Sequence, residues 1–256
     1  MEVFVLASGS KGNVTYLKVD DIRLFIDAGI SYQKMKQKMA DYGENIFDVK
    51  SLFITHEHHD HTMGLKMLLK YGAIEDVYLT KGTLNALPLD IVSEFHQTHI
   101  IEADQPFLFG SLKVTPFMIS HDAKEPVGFV IENDEHKIVH LTDSGYVDQT
   151  YYPLLKNADL YVLEANHNPF TLFQSARPFL LKKRIASEKG HLSNEDACYL
   201  MNQLIQGRVS KWVVAHISED CNAIDDIEEA IVKAFDDPTK VEVFYASQES
   251  LPVIKL

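Results

Sequence analysis

The stretch His56-Glu57-His58-His59-Asp60-His61 is where the chain concentrates ligand chemistry. Four of its six residues, His56, His58, Asp60 and His61, stand at a spacing that suits two metal ions. Two histidines separated by one residue on an extended backbone point to the same side. Asp60 and His61 turn away from that pair and can serve a second ion. Imidazole and carboxylate donors together suit zinc, manganese or iron better than calcium or magnesium. The plainer reading is a solvated histidine-rich loop, in a chain that holds 12 His.

The flanking elements favour the ligand reading. Ser51-Leu52-Phe53-Ile54 is an apolar run that reads as a buried strand, and Leu65, Leu68 and Leu69 begin a helical apolar stripe. The cluster is therefore expected on a loop between a strand end and a helix start. A motif H-x-H-x-D-H after a buried strand resembles the signature of the metallo-β-lactamase superfamily. That resemblance implies an α/β fold, a four-layer αββα metallo-β-lactamase sandwich, with a dinuclear metal centre at one edge and further ligands on later loops.

Composition sets the outer limits. The chain has 256 residues, 46% hydrophobic and 24% charged, which suits one sizeable α/β domain over residues 1–256. Met1-Glu2-Val3-Phe4-Val5-Leu6 reads as a strand rather than a leader, and no apolar run approaches membrane-spanning length. Only Cys198 and Cys221 occur, without C-x-x-C spacing, so a reducing cytoplasm is the expected setting and no membrane association is expected. A net charge of −13 argues against whole-surface nucleic-acid binding, so a polyanionic substrate needs a local basic patch or the metals. The oligomeric state is left open, a homodimer included.

Glu2–Leu6, Asn13–Val19 and Ile22–Ile26 read as three strands, the first two joined by a turn at Ser8-Gly9-Ser10-Lys11-Gly12. No G-K-[ST] opens a helix after it, so it is not a phosphate-binding P-loop. Asp27, at a strand end, is placed either to cap a turn or to orient a ligating histidine from behind. Ser31 caps a helix carrying Met35 and Met39. A-S-G-S-K-G-N at 7–13 and I-D-A-G at 26–29 resemble the YycJ/WalJ (VicX) branch of the superfamily. Residues 81–102 give no clear pattern, and His96 and His99 there lack liganding neighbours.

Later strands end in further candidates. Gly110–Phe117 leads to His121, where the resemblance requires a third ligand for the first metal. Val127–Glu132 and Lys137–Leu141 form a hairpin running toward Asp143, which the resemblance makes the bridging ligand. His136 and His140 are expected not to ligate. Leu160–Leu163 leads to Glu164, and Trp212–Ala215 to His216, the last ligand candidate. Ser193 and Asp196 make a capping box for a helix with His191 just ahead of it. Glu164 and His191 resemble the acid–histidine pair of the tRNase Z-like phosphodiesterases, where it protonates the leaving oxygen. A helix is expected from about Asp225 to Phe235 and a strand over Val241–Tyr245.

The resemblance thus implies His56, His58 and His121 on one metal and Asp60, His61 and His216 on the other, with Asp143 shared. Two divalent ions, zinc or manganese, generate a hydroxide nucleophile and clamp a phosphorus centre, so Asp60, His191 and Glu164 are the catalytic candidates for phosphodiester hydrolysis. No cysteine occupies a later ligand position, which sets the chain apart from the lactam-hydrolysing branch. Arg177, Lys182, Lys183, Arg184 and Lys189 face a single acidic residue, Glu188, and read as a phosphate-contacting patch or a solvated helix face. The resemblance implies a 5′-to-3′ exonuclease on DNA. Alternatives are a cyclic-nucleotide phosphodiesterase and a regulatory protein without turnover.

Overall fold

The computed structural model describes residues 1–249 and 251–256, and the chain forms two compact units. The first comprises Met1–Gln105, Ala123–Val127 and Ala246–Leu256. Its strands are β1 (Glu2–Ala7), β2 (Val14–Val19), β3 (Ile22–Ile26), β4 (Ser51–Phe53), β5 (Asp76–Leu79) and β6 (Gln97–Ile100). They lie side by side in chain order, and a short strand, Ile254–Lys255, adds to the outer side of β1. β1, β2 and β3 pair antiparallel, whereas β3 to β6 run parallel.

Period-2 alternation decides which side chains meet the helices. Phe4 and Leu6, Val14 and Tyr16, Phe25, Leu52 and Ile54, and Val77 and Leu79 form one buried cluster with Met35, Met39, Leu65, Leu68 and Leu69. The methionines lie on α1 (Tyr32–Asp41), and the leucines on α3 (Leu65–Tyr71). Ser31 Oγ accepts from Lys34 N and caps α1, whose two methionines face inward at i and i+4. Each such fully buried side chain contributes about 1.5–3 kcal/mol.

Two expectations are refined here. The ligand stretch is only half loop: His59–Thr62 form a helical turn, α2, with His58 as its N-cap. Thr62 Oγ1 donates to His58 O at 2.9 Å and holds the turn closed. Residues 81–102, unclear by pattern, fold as α4 (Lys81–Ala86), α5 (Leu89–Val92) and then β6. The helices are too short for periodicity to show, and β6 is an edge strand with exposed residues.

The second unit comprises Pro106–Asp122 and Gly128–Tyr245. Its sheet runs in chain order through β7 (Phe107–Phe109), β8 (Leu112–Met118), β9 (Val127–Glu132), β10 (Lys137–Leu141), β11 (Leu160–Glu164), β12 (Ser210–Ala215) and β13 (Val241–Tyr245). β9 and β10 form the expected hairpin, and β10 to β13 are parallel. Its helices are α6 (Tyr152–Leu155), α7 (Pro169–Gln174), α8 (Phe179–Ile185), α9 (Asn194–Leu204) and α10 (Ile224–Ala234). Ala197, Leu200, Met201 and Leu204 of α9 join Ile227 and Ile231 of α10 against Val139, Tyr161, Leu163, Trp212 and Val214. Trp212 satisfies its buried indole N–H on Leu163 O at 3.0 Å.

Candidate metal centre

In the first unit, Asp27 directly follows β3 and the ligand stretch follows β4, so both stand beyond the carboxyl ends of parallel neighbours. That is where open α/β sheets assemble sites. Asp27, His56 and His61 are buried. Asp27 Oδ1 accepts from Thr55 N at 2.8 Å, and Oδ2 accepts from Thr55 Oγ1 at 2.8 Å and from His61 Nδ1 at 2.7 Å. Thr55 spends its one proton on Asp27, so its oxygen accepts from His56 Nδ1 at 3.0 Å. Both rings therefore carry their proton on Nδ1, which makes Nε2 the unprotonated nitrogen, and that of His61 faces Asn13 Nδ2 at 3.1 Å.

The three imidazoles crowd together, with His56 4.7 Å from His58 and 4.1 Å from His61 between centroids. A set of this kind, with His56 and His61 buried and His58 partly exposed, has the donor chemistry of a transition-metal site.

Backbone contacts clasp α2. Asn13 N donates to Asp60 O, Ala28 N to His61 O and Gly64 N to Ala28 O, each at 2.8 Å. A Cβ on Gly29 would overlap Asp60 O, so only glycine lets the strand end approach this closely. Asn13 was not singled out as a site residue from sequence. Its Nδ2 lies 3.1 Å from His61 Nε2 and 3.4 Å from Asp60 Oδ2, while its Oδ1 accepts from Gly9 N at 2.8 Å. The Ser8–Gly12 turn is thus more than a hairpin connection, since it presents Asn13 to two ligand candidates.

In the second unit, Asp143, Glu164, His191 and His216 each place one donor atom within 4.8 Å of the others. Asp143 follows β10, Glu164 ends β11 and His216 follows β12, so three adjacent parallel strands deliver them. Asp27, Asp143 and His216 all adopt left-handed backbones, with φ of 62°, 57° and 50°. Such conformations are uncommon outside glycine and concentrate at functional sites.

Glu164 is fully buried. Its Oε1 accepts from Ser144 N at 2.6 Å, and its Oε2 from His191 Nδ1 at 3.0 Å. His191 therefore presents Nε2 as its working atom. Asp143 Oδ1 lies 3.3 Å from His216 Nε2, and Asn166 Nδ2 donates to His216 O at 2.8 Å. His121 Nδ1 lies 3.2 Å from Gly190 O and donates to it, which again leaves Nε2 for a ligand role. Two buried carboxylates sharing two imidazoles form a donor set that a cation stabilises.

The model of the beta-lactamase superfamily domain matches residues 22–217. The chain belongs to that family. Over 226 residues it is 35% identical to exodeoxyribonuclease YycJ of Bacillus anthracis, covering 85% of this chain and 83% of the relative. It is 37% identical to exodeoxyribonuclease WalJ of Streptococcus pneumoniae, over 85% of this chain and 82% of that one. The crystal structure of the metallo-beta-lactamase fold protein YhfI from Bacillus subtilis superposes with a TM-score of 0.75 at 18% identity, covering 99% of this chain and 98% of that chain. That likeness shows the metallo-β-lactamase fold.

In this beta-lactamase superfamily chain the basic run is partly committed to internal partners. Lys182 is 9% exposed, and its Nζ donates to Phe173 O at 2.8 Å and Ser175 O at 2.6 Å. Arg177 pairs with Asp220 at 3.1 Å, and Arg184 Nη2 with Asp122 Oδ1 at 2.9 Å. Among the histidines not expected to ligate, His99 pairs with Asp76 at 2.6 Å and stacks on Tyr78. Among the described residues no helix is long and apolar enough to cross a membrane.

Proposed function

We propose that the chain is a dinuclear-metal phosphodiesterase that degrades DNA from the 5′ end. The pairing of buried Glu164 with half-buried His191, beside Asp143 and His216, is the observation that carries the chemistry. Likeness to two exodeoxyribonucleases over 85% of the chain supports the substrate. His56, His58 and His121 are the proposed ligands of one divalent ion, Asp60, His61 and His216 those of the other, and Asp143 is shared. In this reading residues 1–256 are one catalytic domain. Zinc and manganese both suit this donor set. When bound, the ions supply Lewis acidity and an activated water.

The chain's own residues do the rest. Asp27 and Thr55 fix the tautomers of His61 and His56. Glu164 holds His191 by Nδ1, so that Nε2 can pass a proton to the leaving oxygen at the scissile phosphate. Lys183 and Lys189 remain for phosphates, and Arg177 and Arg184 can contribute only by sharing their carboxylate partners. The proposed setting is the cytoplasm, a reading supported by two buried free thiols, Cys198 and Cys221.

The test is hydrolysis of end-labelled DNA by metal-replete protein, beside a panel of cyclic nucleotides, with Asp60→Ala as control. Stepwise release of mononucleotides from the 5′ end is expected. Turnover of cyclic nucleotides with intact DNA would overturn the substrate assignment, and silence on both would overturn the phosphodiesterase reading.

A further inference from the structure

Helix α3 is apolar on both of its sides. Leu65, Leu68 and Leu69 are buried in the core of the first unit, whereas Met63, Met67 and Tyr71 stand outside it, 41%, 45% and 53% exposed. Met63 and Gly64 keep right-handed helical backbone between α2 and α3, so the three outer side chains stand at i, i+4 and i+8 along one side. Leu89, 86% exposed, opens the neighbouring α5. Lys66 Nζ ties α5 to α3 by its contact with Asp90 Oδ2 at 2.6 Å. A helix that is apolar on every side is normally covered. Together the four outer side chains expose on the order of 400 Å², half of the ~800 Å² that each partner gives to a standard interface.

Charge selects the occupant. A net charge of −13 sets two copies of the chain against each other over most of their surface. This face is balanced instead, with Lys66 and Lys70 on α3 against Asp90 on α5 and Glu94 just after it. An anionic strand or bilayer would meet both carboxylates here. Lys66 is satisfied by Asp90. Among the described residues, Lys70 reaches no carboxylate and Glu94 reaches no cation within ion-pair distance, and Lys70 Nζ rests 5.5 Å from the centroid of the Tyr71 ring.

We infer that this face is a two-fold contact between two copies of the chain. α3 packs against α3 of the partner subunit, where unbranched, polarisable methionine fits an irregular gap. A two-fold axis repeats every contact, so Lys70 of each copy meets Glu94 of the other. The contact abuts the ligand stretch, since Met63 N donates to His59 O at 2.8 Å and closes the turn that carries Asp60 and His61.

The experiment is sedimentation equilibrium of the full chain over a wide concentration range. Wild type is expected at twice the chain mass. Met67→Glu should sediment as a monomer with unchanged circular dichroism. Lys70→Glu and Glu94→Lys should each weaken association by about tenfold or more, because each sets like charges together twice across the axis. The double variant K70E/E94K should associate as wild type does. A monomeric wild type at every concentration would overturn the inference, as would dimers that survive Met67→Glu. Masses that climb beyond two chains would overturn the two-fold arrangement, and a double variant no better than either single one would overturn the pairing of Lys70 with Glu94.

Discussion

Asp27 Oδ2 accepts a hydrogen bond from His61 Nδ1 at 2.7 Å, and Asp27 does so from a left-handed backbone at φ 62°. The strain and the contact belong together, because an extended residue at this strand end would carry the carboxylate elsewhere. Asp27→Asn keeps a side chain that tolerates this backbone but removes the charge that favours Nδ1–H. We expect a loss of about 10- to 100-fold in metal affinity or turnover, read by chelator competition and steady-state kinetics. Wild-type values in both would remove Asp27 from the site.

Asp60→Ala and His61→Ala should abolish hydrolysis and leave the far-ultraviolet circular dichroism intact. The α2 turn is held through the backbone oxygens of Asp60 and His61 rather than their side chains. Full activity in either variant would sink the dinuclear assignment.

His191→Ala should lower kcat by about 10²- to 10⁴-fold while bound metal stays near the wild-type level. His191 lies within ligand distance of Asp143 and His216, so elemental analysis beside kinetics separates proton donor from ligand. Parallel loss of metal and rate would make His191 a ligand.

Gly29→Ala should destabilise the protein by roughly 3 kcal/mol, since the new Cβ meets backbone that cannot yield. The urea midpoint reads this, and metal binding should fall with it. An unchanged midpoint would mean that the clasp on α2 is looser than described.

Burial pushes the His167 imidazole down to about 4, and its Nδ1 has no hydrogen-bond partner among the described residues. Between pH 6.5 and about 4 the unfolded chain takes up a proton that the folded chain refuses. Stability is therefore full above pH 6.5 and falls as pH drops through that window, by about 2 kcal/mol between pH 7 and pH 5. His167→Gln should flatten this slope in urea titrations. A slope identical to wild type would assign the acid sensitivity to other groups.

The ligand stretch, Asp27 and the strands leading to Asp143, Glu164 and His216 were legible because alternation, strand ends and residue type coincide there. Asn13 was not, because its contacts with Asp60 and His61 span more than forty residues and leave only a turn in the local pattern. Lys182 was misleading for a related reason: the carbonyls that take its charge belong to another segment, so five cations in sequence look more available than they are. The α7 helix was hidden by length, since six residues are too few for a helical period to stand out. Left-handed backbone at Asp143 and His216 has no signature of its own, although aspartate tolerates it better than most residues.

Gln248 Nε2 donates to the carbonyls of Ser8 and Gly12, both at 3.0 Å, across some 240 positions of chain. The turn that presents Asn13 is thus braced by a residue synthesised long after it. While translation proceeds from the first histidine of the ligand stretch to the last strands, that brace does not exist. Contacts of such separation form late and slowly. A nascent chain accordingly displays the histidines of the candidate centre well before the support behind them is complete, and that support arrives as one of the final events of maturation.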